Sequence, residues 1–187
     1  KAYQVDVKIF GERHPDTLLR LANLAELLAE LGDNARAATL LEKAVAGYET
    51  TQVHDNPNTI VARYNLAGTY AELGRIDEAR SGYRAALADH VRVMGPRETY
   101  TLYMYTTIGR FERDHGDPKE AIRLWDALVD ATETLRAEGD LSPENRQSLF
   151  ARWVQAYKEN AELRASQNDG DGALRLIELS KARTLLE

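Results

Sequence analysis

The sequence predicts an all-α chain built as a stack of antiparallel helical hairpins, a solenoid, and three observations carry that prediction. Pro15, Asn23-Leu24-Ala25, Gly32 and Ala37 recur in order as Pro57, Asn65-Leu66-Ala67, Gly74 and Ala79, each shifted by the 42 residues that separate Pro15 from Pro57. Each copy holds two stretches with apolar residues at steps of three and four, the spacing of one helix face. Between them stands a glycine, which takes the left-handed conformation that ends a helix at no steric cost. Eight helices and no sheet are expected, with hairpins turning at Gly32, Gly74, Gly116 and near Asn168.

Residues 1–14 carry Tyr3, Val7 and Phe10 at helical spacing before Gly11 and read as the second helix of a truncated repeat. Repeat 1 covers 15–54. Its first helix starts at Pro15, where a missing N–H costs nothing. Leu18, Leu21, Leu24, Ala25, Leu28 and Leu31 form one apolar stripe, expected to be buried. After Gly32, Asp33-Asn34 favours the turn. The second helix presents Ala37, Leu41, Ala44, Val45 and Tyr48, with alanines where two helices approach closely.

Repeat 2, residues 55–94, starts from Asn56 as N-cap before Pro57. It copies the pattern with Ile60, Leu66, Ala67, Tyr70 and Leu73, then Ala79, Tyr83, Ala86 and Leu87; Arg63 stands where Leu21 stood. Repeat 3, 95–141, keeps Gly116 and Ala121 in register, with Leu102, Ile108, Gly109, Trp125 and Leu128 as its core. Pro96 lies farther from Gly116 than Pro57 does from Gly74, so this first helix is expected to begin about a turn early. Repeat 4, 142–187, is degenerate. Ser142 caps Pro143, Asn168 or Gly170 supplies the turn, and the first helix is longer by about two turns, with Trp153 and Tyr157 on its apolar face. The last helix carries Leu174, Ile177, Leu185 and Leu186. The final two leucines, uncapped, are expected to meet either a partner surface or the long helix of their own chain. Both ends read as cut from a longer array.

Composition narrows the function classes. Hydrophobic residues make up 43% and charged residues 29%, which describes a soluble folded chain. No apolar run approaches the roughly 20 residues of a membrane helix. A net charge of −6 argues against nucleic acid, whose phosphates need a basic face. With no cysteine there is no disulfide, thiol nucleophile or thiolate zinc site, which fits a cytoplasmic compartment. His14, His54, His90 and His115 are scattered over loops and helix ends without the spacing of a metal site, and no phosphate loop or nucleophile motif appears. No enzyme, cofactor or metal is therefore expected.

The small and large positions Ala25, Gly32, Ala37 and Leu41, with their equivalents, resemble the tetratricopeptide repeat. The 42-residue spacing and the His14-Pro15-Asp16-Thr17 start resemble its kinesin light chain type. The likeness is strong over 11–133 and looser beyond. The tail from Leu176 to Leu186 is similar to the last repeat preceding a caspase-like CHAT domain in large bacterial proteins. The resemblance implies a right-handed superhelix whose first helices line a concave groove for a protein or an extended peptide. Its function would be recognition or regulation within a larger protein. Two alternatives stand beside it: an arm packed on a C-terminal CHAT protease domain of the same protein, and a structural or self-association module.

Carried over by position, the groove-facing residues are Leu19, Ala22, Glu26 and Ala29 in repeat 1, Val61, Tyr64, Gly68 and Ala71 in repeat 2, and Tyr103, Thr106, Arg110 and Arg113 in repeat 3. Asn23 and Asn65 match an asparagine that bonds the ligand backbone in peptide-binding members, and Thr107 replaces it in repeat 3. An amide offers both donor and acceptor, so it suits either a peptide backbone or a neighbouring helix. Kinesin light chains have two adjacent asparagines there, whereas Ala22 and Tyr64 stand in place of the first. Chaperone-binding members clamp a terminal carboxylate with a lysine and an asparagine at positions that here hold Ala22 and Glu26, so no carboxylate clamp is expected. The candidate peptide-binding residues are Asn23, Glu26, Tyr64, Asn65, Tyr103, Thr107, Arg110 and Arg113. Glu26, Glu30 and Glu72 make one end acidic and the two arginines make the other basic, which suits a ligand of mixed charge.

Overall fold

The computed structural model describes the backbone of residues 2–50, 56–138 and 143–185 and the side chains of 5–50, 56–138 and 151–181. Those residues form nine α-helices and no strand: α1 (Ala2–Phe10), α2 (Pro15–Glu30), α3 (Asn34–Thr50), α4 (Pro57–Glu72), α5 (Ile76–Met94), α6 (Thr99–Asp114), α7 (Pro118–Ala137), α8 (Pro143–Ser166) and α9 (Gly170–Leu185). The helix beyond the expected eight is α1, which precedes the four hairpins. The chain divides into two compact units, residues 1–94 and 95–187.

In the first unit α1 packs on α2, α2 on α3, α3 on α4 and α4 on α5. Each first helix is started by a side chain. His14 Nδ1 accepts from the Asp16 N–H at 3.3 Å and Asn56 Oδ1 from the Asn58 N–H at 2.9 Å, satisfying donors that a helix N-terminus leaves orphaned. Gly32 and Gly74 close the first helices at φ 81° and 74°. Leu18 and Leu21 of α2, Ala44 and Tyr48 of α3 and Ala62 of α4 make one core cluster; Ala25, Ala37 and Leu41 make a second, against which Leu66 packs. The expected stripe of α2 splits. Leu18, Leu21 and Ala25 are buried, but Leu24 and Leu31 are exposed, because α1 covers only the opening turns of α2. Leu73, which follows the last residue of α4 as its C-cap and is also expected in the core, is exposed. Arg63 fills its leucine position differently: its guanidinium lies between Glu49 of α3 and Asp89 of α5, 3.0 Å from each.

In the second unit α6 packs on α7, α7 on α8 and α8 on α9. α6 does not start early. Glu98 caps it, 42 residues after the N-cap Asn56, accepting from the Tyr100 and Thr101 N–H groups, so the helix begins at Thr99 in register with Pro57. Trp125, fully buried, lies so close to Gly109 that a Cβ there would sit 2.3 Å from the indole nitrogen, which donates to the Thr106 carbonyl. α8 has the expected extra length, 24 residues against 16 in α2, α4 and α6, and buries Trp153 and Tyr157. Asn168 makes its turn at φ 63°. Ser142 and the side chains of Leu185 and Leu186 lie outside the described residues, so the expectations placed on them are not addressed. Leu174 and Ile177 of α9 are exposed.

Candidate functional site

Among the described residues, a groove lies between successive first helices in each unit. In the first unit α2 and α4 flank a groove of about 440 Å³ lined by Glu26, Glu30, Asn65, Gly68, Thr69 and Glu72 among others. The geometry follows from helical period: Glu26 and Glu30 lie one turn apart on α2, as Asn65, Gly68 and Glu72 do on α4. Asn65 uses only its main-chain carbonyl internally, accepting from Thr69 Oγ1 at 2.9 Å. Among the described residues its side-chain amide has no hydrogen-bond partner, and Glu26, Glu30 and Glu72 enter no ion pair. Three carboxylates and a free amide therefore face the same space.

In the second unit α6 and α8 flank a wider groove of about 600 Å³, lined by Tyr100, Tyr103, Thr106 and Arg110 from one side and Arg152, Trp153 and Ala156 from the other. Its basic residues are engaged. Arg110 donates through Nε and Nη2 to both oxygens of Glu159, at 2.8 and 2.9 Å. Arg113 reaches the same carboxylate at 3.2 Å and also forks onto Asp114 at 2.7 and 3.0 Å. The hydrogen bond from Arg113 holds the Asp114 carboxyl below the usual range and raises the guanidinium in turn. Glu159 is largely buried, so this is a charge-assisted cluster of the fold as well as a rim of the groove.

The eight sequence-derived residues are distributed unevenly. Glu26 and Asn65 come together in the first groove, and Tyr103 and Arg110 lie in the second. Tyr64 is buried with its ring 5.3 Å from that of Tyr83, a core contact. Its position four residues after Ile60 and three before Ala67 puts it on the buried stripe, a signal present in the sequence. Asn23 is exposed and does not line the groove. Thr107 is half-buried and lines neither groove, and Arg113 stands behind Arg110 on Glu159. Sequence reasoning missed Glu159 and Arg152. No group of histidines and carboxylates among the described residues could hold a metal ion, and no described helix is long and apolar enough to cross a membrane.

Comparison with known proteins agrees with this architecture. A family model described as tetratricopeptide repeat matches residues 54–131, and another of the same description matches 17–58. The clustered mitochondria protein homolog of Meyerozyma guilliermondii is 32% identical over 93 residues, half of this chain but 7% of that protein. Among solved structures, the putative kinesin light chain of Podosopora anserina, with nearly identical TPR-like repeats, aligns at TM-score 0.76 and 21% identity over 97% of this chain and 82% of its own. BtubC from P. vanneervenii aligns at 0.75 and 20% over 92% and 65%. YrrB, a TPR protein with an unusual peptide-binding site, aligns at 0.52 and 17% over 98% and 92%. At these identities the structural likeness is one of fold.

Proposed function

We propose, from the premise that residues 17–131 of this chain are tetratricopeptide repeats, that it is a peptide-binding scaffold whose groove between α2 and α4 takes an extended segment bearing lysine or arginine. One observation carries the reading: the Asn65 amide has no internal partner and sits in a groove whose carboxylates, Glu26, Glu30 and Glu72, are likewise unpaired among the described residues. An amide offers a peptide backbone both a donor and an acceptor. Unpaired carboxylates favour a cation and steer its approach at low salt. The arginines of the second unit, by contrast, are already neutralised by Glu159 and Asp114, so the mixed-charge ligand suggested by the sequence gives way to a basic one.

Selection from a displayed random-peptide library tests this. Basic peptides are expected to enrich, and titration calorimetry with the strongest of them should show Asn65→Ala weakening binding by about 1–3 kcal/mol, the cost of leaving a backbone group unpaired. That corresponds to a roughly five- to 150-fold rise in Kd. Enrichment of acidic peptides, or an unchanged Kd in the variant, would overturn the assignment of the groove.

A further inference from the structure

We infer that the groove between α6 and α8 is a binding site for a small aromatic carboxylate, distinct from the peptide groove between α2 and α4. Its volume of about 600 Å³ falls within the roughly 300–1,000 Å³ of sites that enclose small molecules. Its two walls and its charge select the ligand.

The α6 wall is an aromatic shelf. Tyr100 and Tyr103 stand one helical turn apart, their ring centroids separated by 5.7 Å and their planes tilted by 36°. Tyr103 is 48% exposed, although the residues on either side of it, Leu102 and Met104, are buried. A tyrosine ring left open in a groove offers a flat π surface suited to stacking another ring. The α8 wall is divided by helical spacing into two rows. Trp153 and Ala156, three residues apart, are buried and make its floor; Arg152 and Gln155, also three apart, are exposed at its edge.

The unspent polar groups call for an anion. Two charged side chains of the groove are engaged within the fold, Arg110 on Glu159 and Glu98 on the N–H groups of Tyr100 and Thr101. Arg152 has no ion-pair partner among the described residues. A guanidinium takes a carboxylate through two parallel hydrogen bonds, and the Gln155 amide one turn on adds a further donor. The Trp153 indole N–H is a second unmatched donor: the side chain is 5% exposed and its nitrogen has no acceptor, whereas the Trp125 nitrogen donates to the Thr106 carbonyl. A ligand bearing carboxylate oxygens supplies what both donors lack. An extended peptide suits this groove less well, because the position of Asn65 is held here by Thr107, which does not line it.

Titration of the nitrogen-15-labelled chain with 2-naphthoate tests the inference, read on the two tryptophan indole signals, with Trp153→Phe identifying which is which. The Trp153 signal should move to saturation. 2-Naphthamide, the same ring without the charge, should bind about fivefold more weakly, the worth of a well-formed exposed ion pair. Arg152→Gln should weaken naphthoate by the same factor of about five and leave naphthamide unchanged. Tyr103→Ala should weaken both by about tenfold. Asn65→Ala, in the other groove, should alter neither. Arg152 and Tyr103 are exposed, and circular dichroism checks that their variants are folded. Four results overturn the inference: a Trp153 signal that naphthoate does not move, equal affinity for naphthoate and naphthamide, loss of naphthoate binding in Asn65→Ala, or a Trp153 signal that responds to an acidic peptide without aromatic residues but not to naphthoate, which would make the groove a second peptide channel.

Discussion

At Glu159 a single carboxylate, largely buried on α8, accepts from two arginines of α6. Replacing it by glutamine keeps the shape but removes the carboxylate that Arg110 directly bonds; Arg113 retains Asp114. Because both arginines are about a third or more exposed, solvent screens much of the loss. We expect Glu159→Gln to cost about 1 kcal/mol in urea unfolding, and Asn65→Ala, which removes no internal bond, to stay within about 0.5 kcal/mol. A matching loss at Asn65 would return it to a structural role. Gly109→Ala sets two effects against each other. A helical alanine gains about 1 kcal/mol over glycine, but its Cβ would meet the rigid, buried Trp125 ring at 2.3 Å. Overpacking of about 1–3 kcal/mol outweighs the gain, so the melting temperature should fall. The basic pair was legible in the sequence as residues but not as a pair already satisfied. Its partner lies 49 residues away, in the repeat whose first helix departs from the 42-residue pattern, so the repeat offset could not point to it.

The hairpin turns were the most legible elements, because each needs a residue tolerant of positive φ and few residue types qualify. Gly74→Ala, at φ 74°, should destabilise by about 1–2 kcal/mol. Asn168→Gly, at φ 63°, should stabilise by up to about 1 kcal/mol in the same melt. The start of α6 was misplaced because a displaced proline is a conspicuous signal, whereas a glutamate serving as N-cap is not among the residues ordinarily expected there. Beside the Asn168 turn, a hydrogen bond from Arg164, seconded by the Gly172 N–H, holds the Asp169 carboxyl below its usual range. A depressed folded value contributes stability fully above the unfolded pKa of about 3.9 and loses it as the pH falls through the folded one. Wild type should therefore melt above Asp169→Asn at neutral pH, with the gap closing below about pH 4. An unchanged gap would place the stabilisation elsewhere.

On the scale of the whole molecule, the 42-residue period was enough to give the fold class, because a repeat that cannot bury its own face requires a neighbour of the same kind. What the period could not give was where it would be broken. One break has a consequence for how the molecule answers its solvent. At one equivalent position the first hairpin places Leu21 in an apolar cluster, while the second places Arg63 between Glu49 and Asp89. Sodium chloride screens such an ion triad, and sulfate strengthens apolar burial. The two hairpins are therefore tuned to different ions, and hydrogen exchange should see chloride loosen the amides around Arg63 while sulfate tightens those around Leu21. A seam of charge set into a stack of otherwise oily joints gives the array a place to open first as ionic strength rises.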